Sequence, residues 1–253
     1  MKTGKGIDAV ARKIAFITPA LLPMPPVRGG AMETLVNHLL CQNEVCWDFE
    51  ITVFCVGDEQ AREKAADYQH ARFCYLPGEA LCPRLNDLFV RGCRNFFHIE
   101  LNPQRAYAQR AATALSREKY ALLIVENQPL FLPMVRKAAP DTPLWLHLHN
   151  HPGNFGSRGA AAFVCCDGIL AVSEFVRQEV LQLSPLGAEQ VLTFPNCVDA
   201  EKFDSSQYQK ERKEIRDRYG IRDGDVVLMY ISEELGNVIG DDYAEAQSRI
   251  VIK

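Results

Sequence analysis

Short apolar runs alternate with longer amphipathic stretches along most of the chain. Lys13-Ile14-Ala15-Phe16-Ile17-Thr18 has the length and content of a buried strand, and Thr34 to Leu40 behind it places apolar residues at helical spacing. Phe49 to Val56 reads as a second strand ended by Gly57, and Phe73-Cys74-Tyr75-Leu76 as a third ended by Pro77-Gly78. Pro83 to Arg117 lacks strand signals and reads as one or two helices broken near Asn102-Pro103. Ala121 to Val125 is a continuous apolar run followed by polar Glu126-Asn127-Gln128, and Pro129 is placed to open a helix from Leu130 to Ala138. Leu144 to His149, Gly168 to Val172 and Val191 to Phe194 are further strands, with Ser173 as the cap of a helix from Glu174 to Leu183. Lys210 to Tyr219 is a charged helix laced by Lys210/Glu214 and Glu214/Arg218 and stopped by Gly220, and Asp225 to Ile231 begins one more strand.

Strands that alternate with helices, most of them uninterrupted apolar runs, predict an α/β fold with a parallel sheet covered by helices on both faces. Such sheets bind ligands outside the carboxyl ends of their strands. The Gly29-Gly30 loop, Glu126-Asn127 and the stretch from His147 to His151 all lie there. The loop Pro25-Pro26-Val27-Arg28-Gly29-Gly30-Ala31-Met32-Glu33 stands between a strand and a helix. Paired glycines let a ligand approach the main chain, and a helix start offers N–H groups to an anion. The same glycines could simply turn the chain, because the loop matches no full phosphate-binding fingerprint.

With 253 residues, 47% of them hydrophobic, the chain can bury one large core or two small ones. A net charge of −4 and a pI near 5.9 give no general attraction for nucleic acid or anionic membrane. No apolar stretch reaches a membrane-spanning length; Pro19, Pro23 and Pro25 interrupt the most apolar region near the start. The nine cysteines show no Cys-x-x-Cys and no zinc spacing, and Cys55, Cys74 and Cys165 sit inside apolar runs. This points to a cytoplasmic protein without a disulfide framework. Cys166 and Cys197 have no histidine base that spacing reveals, so a cysteine nucleophile is not expected.

His147, His149 and His151 alternate, so an extended chain turns all three to one face. Zinc is a conceivable ligand, but no acidic or cysteine partner stands nearby in sequence, and no metal is expected. The preferred reading puts His147 in the core and His149, Asn150 and His151 at the strand mouth as hydrogen-bonding groups. Gly153-Asn154-Phe155-Gly156 either continues that mouth or turns the chain into a helix from Ser157 to Val164. Arg84 to Arg110 carries five arginines with Phe89, Phe96 and Phe97 among them. It could touch anionic lipid at the inner face of the membrane or a glycan, although phenylalanine at helical spacing is more often core.

Four of these stretches together resemble the retaining glycosyltransferases of family 4, which have the GT-B fold. They are Pro26 to Glu33, Leu146 to His151, Gly168 to Val180 and Phe194 to Phe203, and the likeness runs from about Lys13 to Tyr230. The loop and the His-Asn-His variant look most like enzymes of bacterial surface or spore-coat polysaccharide assembly. The resemblance implies a Rossmann-like acceptor domain over residues 13–204; residues 1–12, charged and followed by a proline-broken apolar run without a cleavage site, read as a disordered extension ahead of it. Residues 205–253 would form a linker helix and the first strand of a donor domain. It implies transfer of a sugar from a UDP-linked nucleotide sugar, without another cofactor, to a glycan or lipid-linked acceptor. Gly29 and Gly30 would lie over the donor diphosphate and His149 near the transferring sugar. Arg28, Glu33, Glu126, Asn127, Asn150, His151, Ser173, Glu174 and Asn196 would line the acceptor site and cleft.

The chain also departs from that pattern. The family's Gly-Arg and Glu-Lys-Gly elements, whose cations neutralise the diphosphate, correspond here to Tyr230 to Gly236, which carries neither cation. The later pair of glutamates has no place in Asn237 to Lys253, and Cys197 replaces a glycine that usually turns the chain. The expectation is an acceptor domain cut off at the first strand of its donor domain. An unpaired strand at 226–231 would then invite self-association or a donor-domain partner. The rival expectation is a non-catalytic acceptor-binding subunit that needs a separate donor-binding chain; a nucleotide-sugar epimerase is a third.

Overall fold

A computed structural model describes residues 12–78, 104–222, 224–230 and 249–252. The chain forms two compact units, Met1–Val198 and Asp199–Lys253. The first contains β1 (Arg12–Ile17), α1 (Ala31–Cys46), β2 (Phe49–Cys55), α2 (Glu59–Lys64) and β3 (Ala71–Tyr75). After these come α3 (Arg105–Leu115), β4 (Leu122–Glu126), α4 (Leu132–Ala138), β5 (Leu144–Leu148), α5 (Gly156–Ala162), β6 (Gly168–Ala171), α6 (Glu174–Leu183) and β7 (Val191–Thr193). The strands form one sheet in the order β3-β2-β1-β4-β5-β6-β7. Every neighbouring pair is parallel.

Strand alternation divides the core between the two faces of this sheet. Ile14, Phe16, Ile51, Val53 and Cys55 turn toward Val36 and Leu40 of α1. Ala15, Ile17, Leu123, Val125, Leu144 and Leu146 turn the other way, toward Tyr107 and Leu115 of α3, Leu132 and Val135 of α4, and Val176 and Val180 of α6. The expected strands are thus all present within a residue or two of their bounds. Pro129 opens a 3-10 turn, Pro129–Phe131, ahead of α4 rather than α4 itself. Ser173 caps α6, its hydroxyl accepting from the Val176 N–H at 3.2 Å. Of the arginine-rich stretch, residues 84–103 lie outside the described residues, as do residues 1–11 of the expected extension; Arg12 belongs to β1. Among the described residues no helix is long and apolar enough to cross a membrane.

In the second unit the charged helix is α7 (Gln209–Arg218), followed by β8 (Val227–Tyr230) and β9 (Arg249–Ile252). Gly220, at φ +64°, takes the left-handed turn that ends α7. The strand expected to stand unpaired is hydrogen-bonded along one edge: β8 runs antiparallel to β9, with Val227 opposite Ile252 and Tyr230 opposite Arg249. That ladder corrects the expectation of an unpaired strand, because groups that a second chain would have used on that edge are taken within this one. Cys197 has no positive φ; among the described non-glycine residues only Trp47 and Asn127 do. The turn therefore proceeds without the conformation a glycine would have supplied.

One close approach ties β5 to β6. Trp145 and Gly168 are register partners, and the indole lies where a side chain on residue 168 would be. A Cβ built on Gly168 would meet three ring carbons of Trp145 at 2.7 Å each. Gly168→Ala is expected to push the indole off the strand and to destabilise the domain by about 1–3 kcal/mol, the usual cost of overpacking. Denaturant unfolding with tryptophan fluorescence measures this; an unchanged midpoint and emission would contradict the contact.

Candidate active site

The sheet order reverses at β1, from which the chain proceeds outward to β2 and β3 and then returns to β4 on the other side. At such a switch point the loops leaving adjacent strands diverge and open a crevice at the carboxyl ends. The loop after β1 forms one wall. Thr18 donates its N–H to the Phe54 carbonyl at 3.0 Å, and Met24, fully buried, donates to the Val56 carbonyl at 3.1 Å. These bonds fasten the Pro-rich loop to β2 and deliver Gly29 and Gly30 to the start of α1. Gly29 (φ +79°) is exposed, and a Cβ placed on it would have nothing within 4 Å. A Cβ on Gly30 (φ +99°) would instead lie 2.2 Å from Glu33 Oε2 and 2.7 Å from Leu22 Cδ1. The two glycines thus differ in kind. Gly29 leaves open space above the main chain, and Gly30 makes room for the Glu33 carboxylate.

Glu33 is only 3% exposed, so its carboxylate belongs to the interior of this loop rather than to an open cleft wall. Arg28 is exposed and pairs with Asp58 at 2.7 Å. Asp58 in turn caps α2 by accepting from the Ala61 N–H at 2.9 Å. That backbone hydrogen bond, with the Arg28 guanidinium beside it, holds the Asp58 carboxyl below its usual range. Asp58 was not among the expected site residues, although Gly57-Asp58-Glu59 after a strand is a helix-start signal.

The other wall is built around Glu126, the last residue of β4, whose register partner on β5 is His147. Glu126 has no exposed surface. Its Oε2 lies 3.1 Å from His147 Nδ1 and 2.9 Å from His149 Nε2. The two imidazoles face each other with centroids 4.2 Å apart, and Phe194 closes the far side of His147 at 5.4 Å. Asn127 adopts the left-handed conformation (φ +47°), which asparagine tolerates better than most residues. In that pose its N–H donates to the His147 carbonyl at 2.7 Å, and its Oδ1 accepts the His149 N–H at 3.1 Å. Burial alone would raise the Glu126 pKa, but the hydrogen bonds from His147 and His149 outweigh it and hold the carboxyl below its ordinary value.

The three alternating histidines do not converge. The chain leaves the extended conformation after β5, and His151 diverges to Glu179 on α6, its Nε2 donating to the carboxylate at 2.9 Å. His151 Nδ1 accepts the Gly153 N–H at 3.0 Å and so opens the 3-10 turn Pro152–Phe155. Glu179 was invisible in sequence, because only the packing of α6 brings it to the histidine. Asn150 and Asn196 are exposed. Glu174 is fixed by Gln178 (2.6 Å), Thr193 (2.8 Å) and Arg177 (3.0 Å), which together lower its carboxyl pKa. It ties α6 to the end of β7 and supports the rim. Burial pushes the Cys166 thiol up to about 12, which makes it a poor nucleophile.

Among the described residues, Glu126, His147 and His149 also have donor atoms within 4.8 Å of one another, a set that zinc accepts. Here His147 Nδ1 hydrogen-bonds Glu126 Oε1 at 3.3 Å and His149 Nε2 hydrogen-bonds Oε2 at 2.9 Å, so the two imidazoles satisfy the carboxylate directly. The arrangement can orient an imidazole at the mouth of a crevice.

A seven-stranded parallel sheet of this order, with its polar groups gathered at the carboxyl ends, defines an α/β, Rossmann-like ligand-binding domain. The model of Glycosyltransferase Family 4 matches residues 40–202, and the chain belongs to that family. It is 25% identical over 223 residues to the Bacillus subtilis (strain 168) protein named "Putative glycosyltransferase YtcC", covering 85% of this chain and 48% of that one. It is 24% identical over 223 residues to spore coat protein SA of the same organism, covering 85% and 52%. The chain thus spans about half the length of these curated relatives. Among solved structures it is similar to the UDP-GlcNAc 2-epimerase from Neisseria meningitidis bound to UDP-GlcNAc, with TM-score 0.48 and 10% identity over 83% of this chain and 54% of that one. The UDP-N-acetylglucosamine 2-epimerase from Rickettsia bellii gives TM-score 0.45 and 12% identity over 84% and 52%.

Two outcomes follow from this geometry. Gly30→Ala is expected to cost more stability than Gly29→Ala. Both changes put a side chain at positive φ, at about 1–2 kcal/mol, but only the first also displaces Glu33 and Leu22. Equal shifts in thermal melting would contradict the distinction. Because the folded pKa of Glu126 is depressed, its contribution is present above the unfolded carboxylate value, about 4.3, and is lost as pH falls through the lower folded value. Unfolding free energy should therefore fall more steeply below about pH 5 in the native protein than in Glu126→Gln. Parallel profiles from denaturant titrations would refute this.

Proposed function

We propose that this chain supplies the acceptor-binding half of a family 4 glycosyltransferase. The enzyme would move a sugar from a UDP-linked donor to a glycan or lipid-linked acceptor with retention at the anomeric carbon. The family match carries the reading, because it covers β2 to β7 and with them the Glu126 and His149 wall of the crevice. The relatives' names, a glycosyltransferase and a spore coat protein, support a sugar polymer of a cell or spore surface as the acceptor. In this reading residues 13–204 bind the acceptor, and residues 205–253 lead toward a donor-binding domain. Gly29, with open space above its backbone, would face the diphosphate, and His149 the transferring sugar. Metal-free transfer needs preformed donors and cations around the leaving diphosphate. The Gly29-Gly30 loop offers the donors, and the cations would come from the donor-binding half.

A second reading is favoured by the lack of an arginine or lysine from Tyr230 to Gly236. There the chain is a non-catalytic acceptor-binding subunit that serves a separate donor-binding chain. Calorimetry with nucleoside diphosphates and a radiolabelled panel of nucleotide sugars tests both. The 253-residue chain alone is expected to bind diphosphates weakly and to transfer no sugar. Fused to the donor-binding half of a family member, it should transfer sugar to a surface glycan. Tight binding or transfer by the chain alone would refute the division of labour. Failure of every folded fusion, with glycan binding retained, would favour the non-catalytic subunit.

A further inference from the structure

Three features of the Glu126 cluster constrain where its protons sit. His147 Nε2 is buried without a hydrogen-bond partner among the described residues. A buried lone pair without a donor is tolerable, whereas a buried N–H without an acceptor costs the full desolvation of a donor. His147 is therefore protonated on Nδ1, the nitrogen directed at Glu126, and donates to the carboxylate. His147 takes Glu126 Oε1 at 3.3 Å, and Oε2 receives His149 Nε2 at 2.9 Å, so that nitrogen also carries a hydrogen. His149 Nδ1 has no protein partner among the described residues, and the His149 side chain keeps 11% of its surface exposed. The His149 backbone is pinned separately by Asn127 Oδ1.

We propose that Glu126 is a positioning residue for His149. It keeps the hydrogen on Nε2 and fixes the ring, so that Nδ1 is the nitrogen presented to the ligand, as an acceptor for a sugar hydroxyl. The hydroxyl assignment rests on the glycosyltransferase reading; the choice of nitrogen does not. Asn127 and His147 complete the device, one by setting the His149 main chain and the other by occupying the rest of the carboxylate. Among the described residues, the ionisable groups that touch His149 are Glu126 from β4 and His147 from the preceding β5, whereas His151 is engaged by Glu179.

The choice of nitrogen can be read without any substrate. The chain has six histidines, few enough for two-bond proton–nitrogen correlation spectra of the nitrogen-15-labelled protein, with His149→Asn identifying the signal. Under alkaline conditions the native protein should show His149 hydrogenated on Nε2, and that hydrogen should exchange slowly with water. In Glu126→Gln the exchange should be about tenfold to a hundredfold faster, the loss expected for a hydrogen bond to a charged group. A hydrogen on Nδ1 in the native protein, or equal exchange in a folded Glu126→Gln, would overturn the proposal. If Glu126→Gln does not fold, the native spectrum still decides the nitrogen. Addition of a nucleotide sugar at saturating concentration supplies the second arm: the Nδ1 resonance should move while the Nε2 hydrogen stays protected. A nucleotide sugar that binds without moving Nδ1 would refute the hydroxyl contact and leave the glycosyltransferase reading intact. Loss of that reading in the fusion assay would leave the native spectrum unaffected.

Discussion

A carboxylate with no exposed surface at the end of a parallel strand is the constraint on which the site depends. Removing an ionised carboxylate from water is prohibitive unless donors replace the water. Glu126 meets that requirement through two imidazoles that come from one segment, at the end of the adjacent strand. The position of His149 is therefore a consequence of what Glu126 demands. The left-handed turn at Asn127 serves the same end, since it lets one residue brace both the strand end and the loop after it. A crevice wall built this way is stiff, because moving any member uncovers a buried charge.

The facing wall follows a different logic. Its backbone is fastened to β2 by Thr18 and Met24, and its two glycines divide the work between open space and tight packing. Glu33 fills the space beneath Gly30, so the loop's shape is maintained from within, and Arg28 is drawn outward to Asp58. Among the groups of these two walls, main chain at Gly29 is exposed and the His149 imidazole is partly so. Polar backbone and a single oriented nitrogen suit a hydroxylated or phosphorylated ligand better than an apolar one.

The reach of sequence reasoning can be judged residue by residue. Ser173 was legible as a cap because capping is local, its hydroxyl needing only an N–H a few residues ahead. Gly220 was legible as a stop for the same reason. The histidines were legible as a group, but their fates were not. Alternation predicted a common face, which holds while the backbone stays extended, and β5 ends at Leu148. His151 was then free to turn to Glu179, 28 residues away in the chain. Asp58, a partner for Arg28, was missed even though its own capping signal is local.

Periodicity by itself determined the strands, their parallel arrangement and the end of the sheet where the polar groups gather, because apolar runs and helix caps are written in consecutive residues. The family likeness was carried in the same way, by short motifs in order. Only the tertiary structure decided that an acidic partner for the histidines exists. Glu126 lies 21 residues before His147 and reaches it through register between neighbouring strands. It also decided that β8 is paired along one edge within the chain. The physical reason is common to both: hydrogen bonds across a sheet join residues whose separation in sequence is set by connections, and no local pattern encodes that distance.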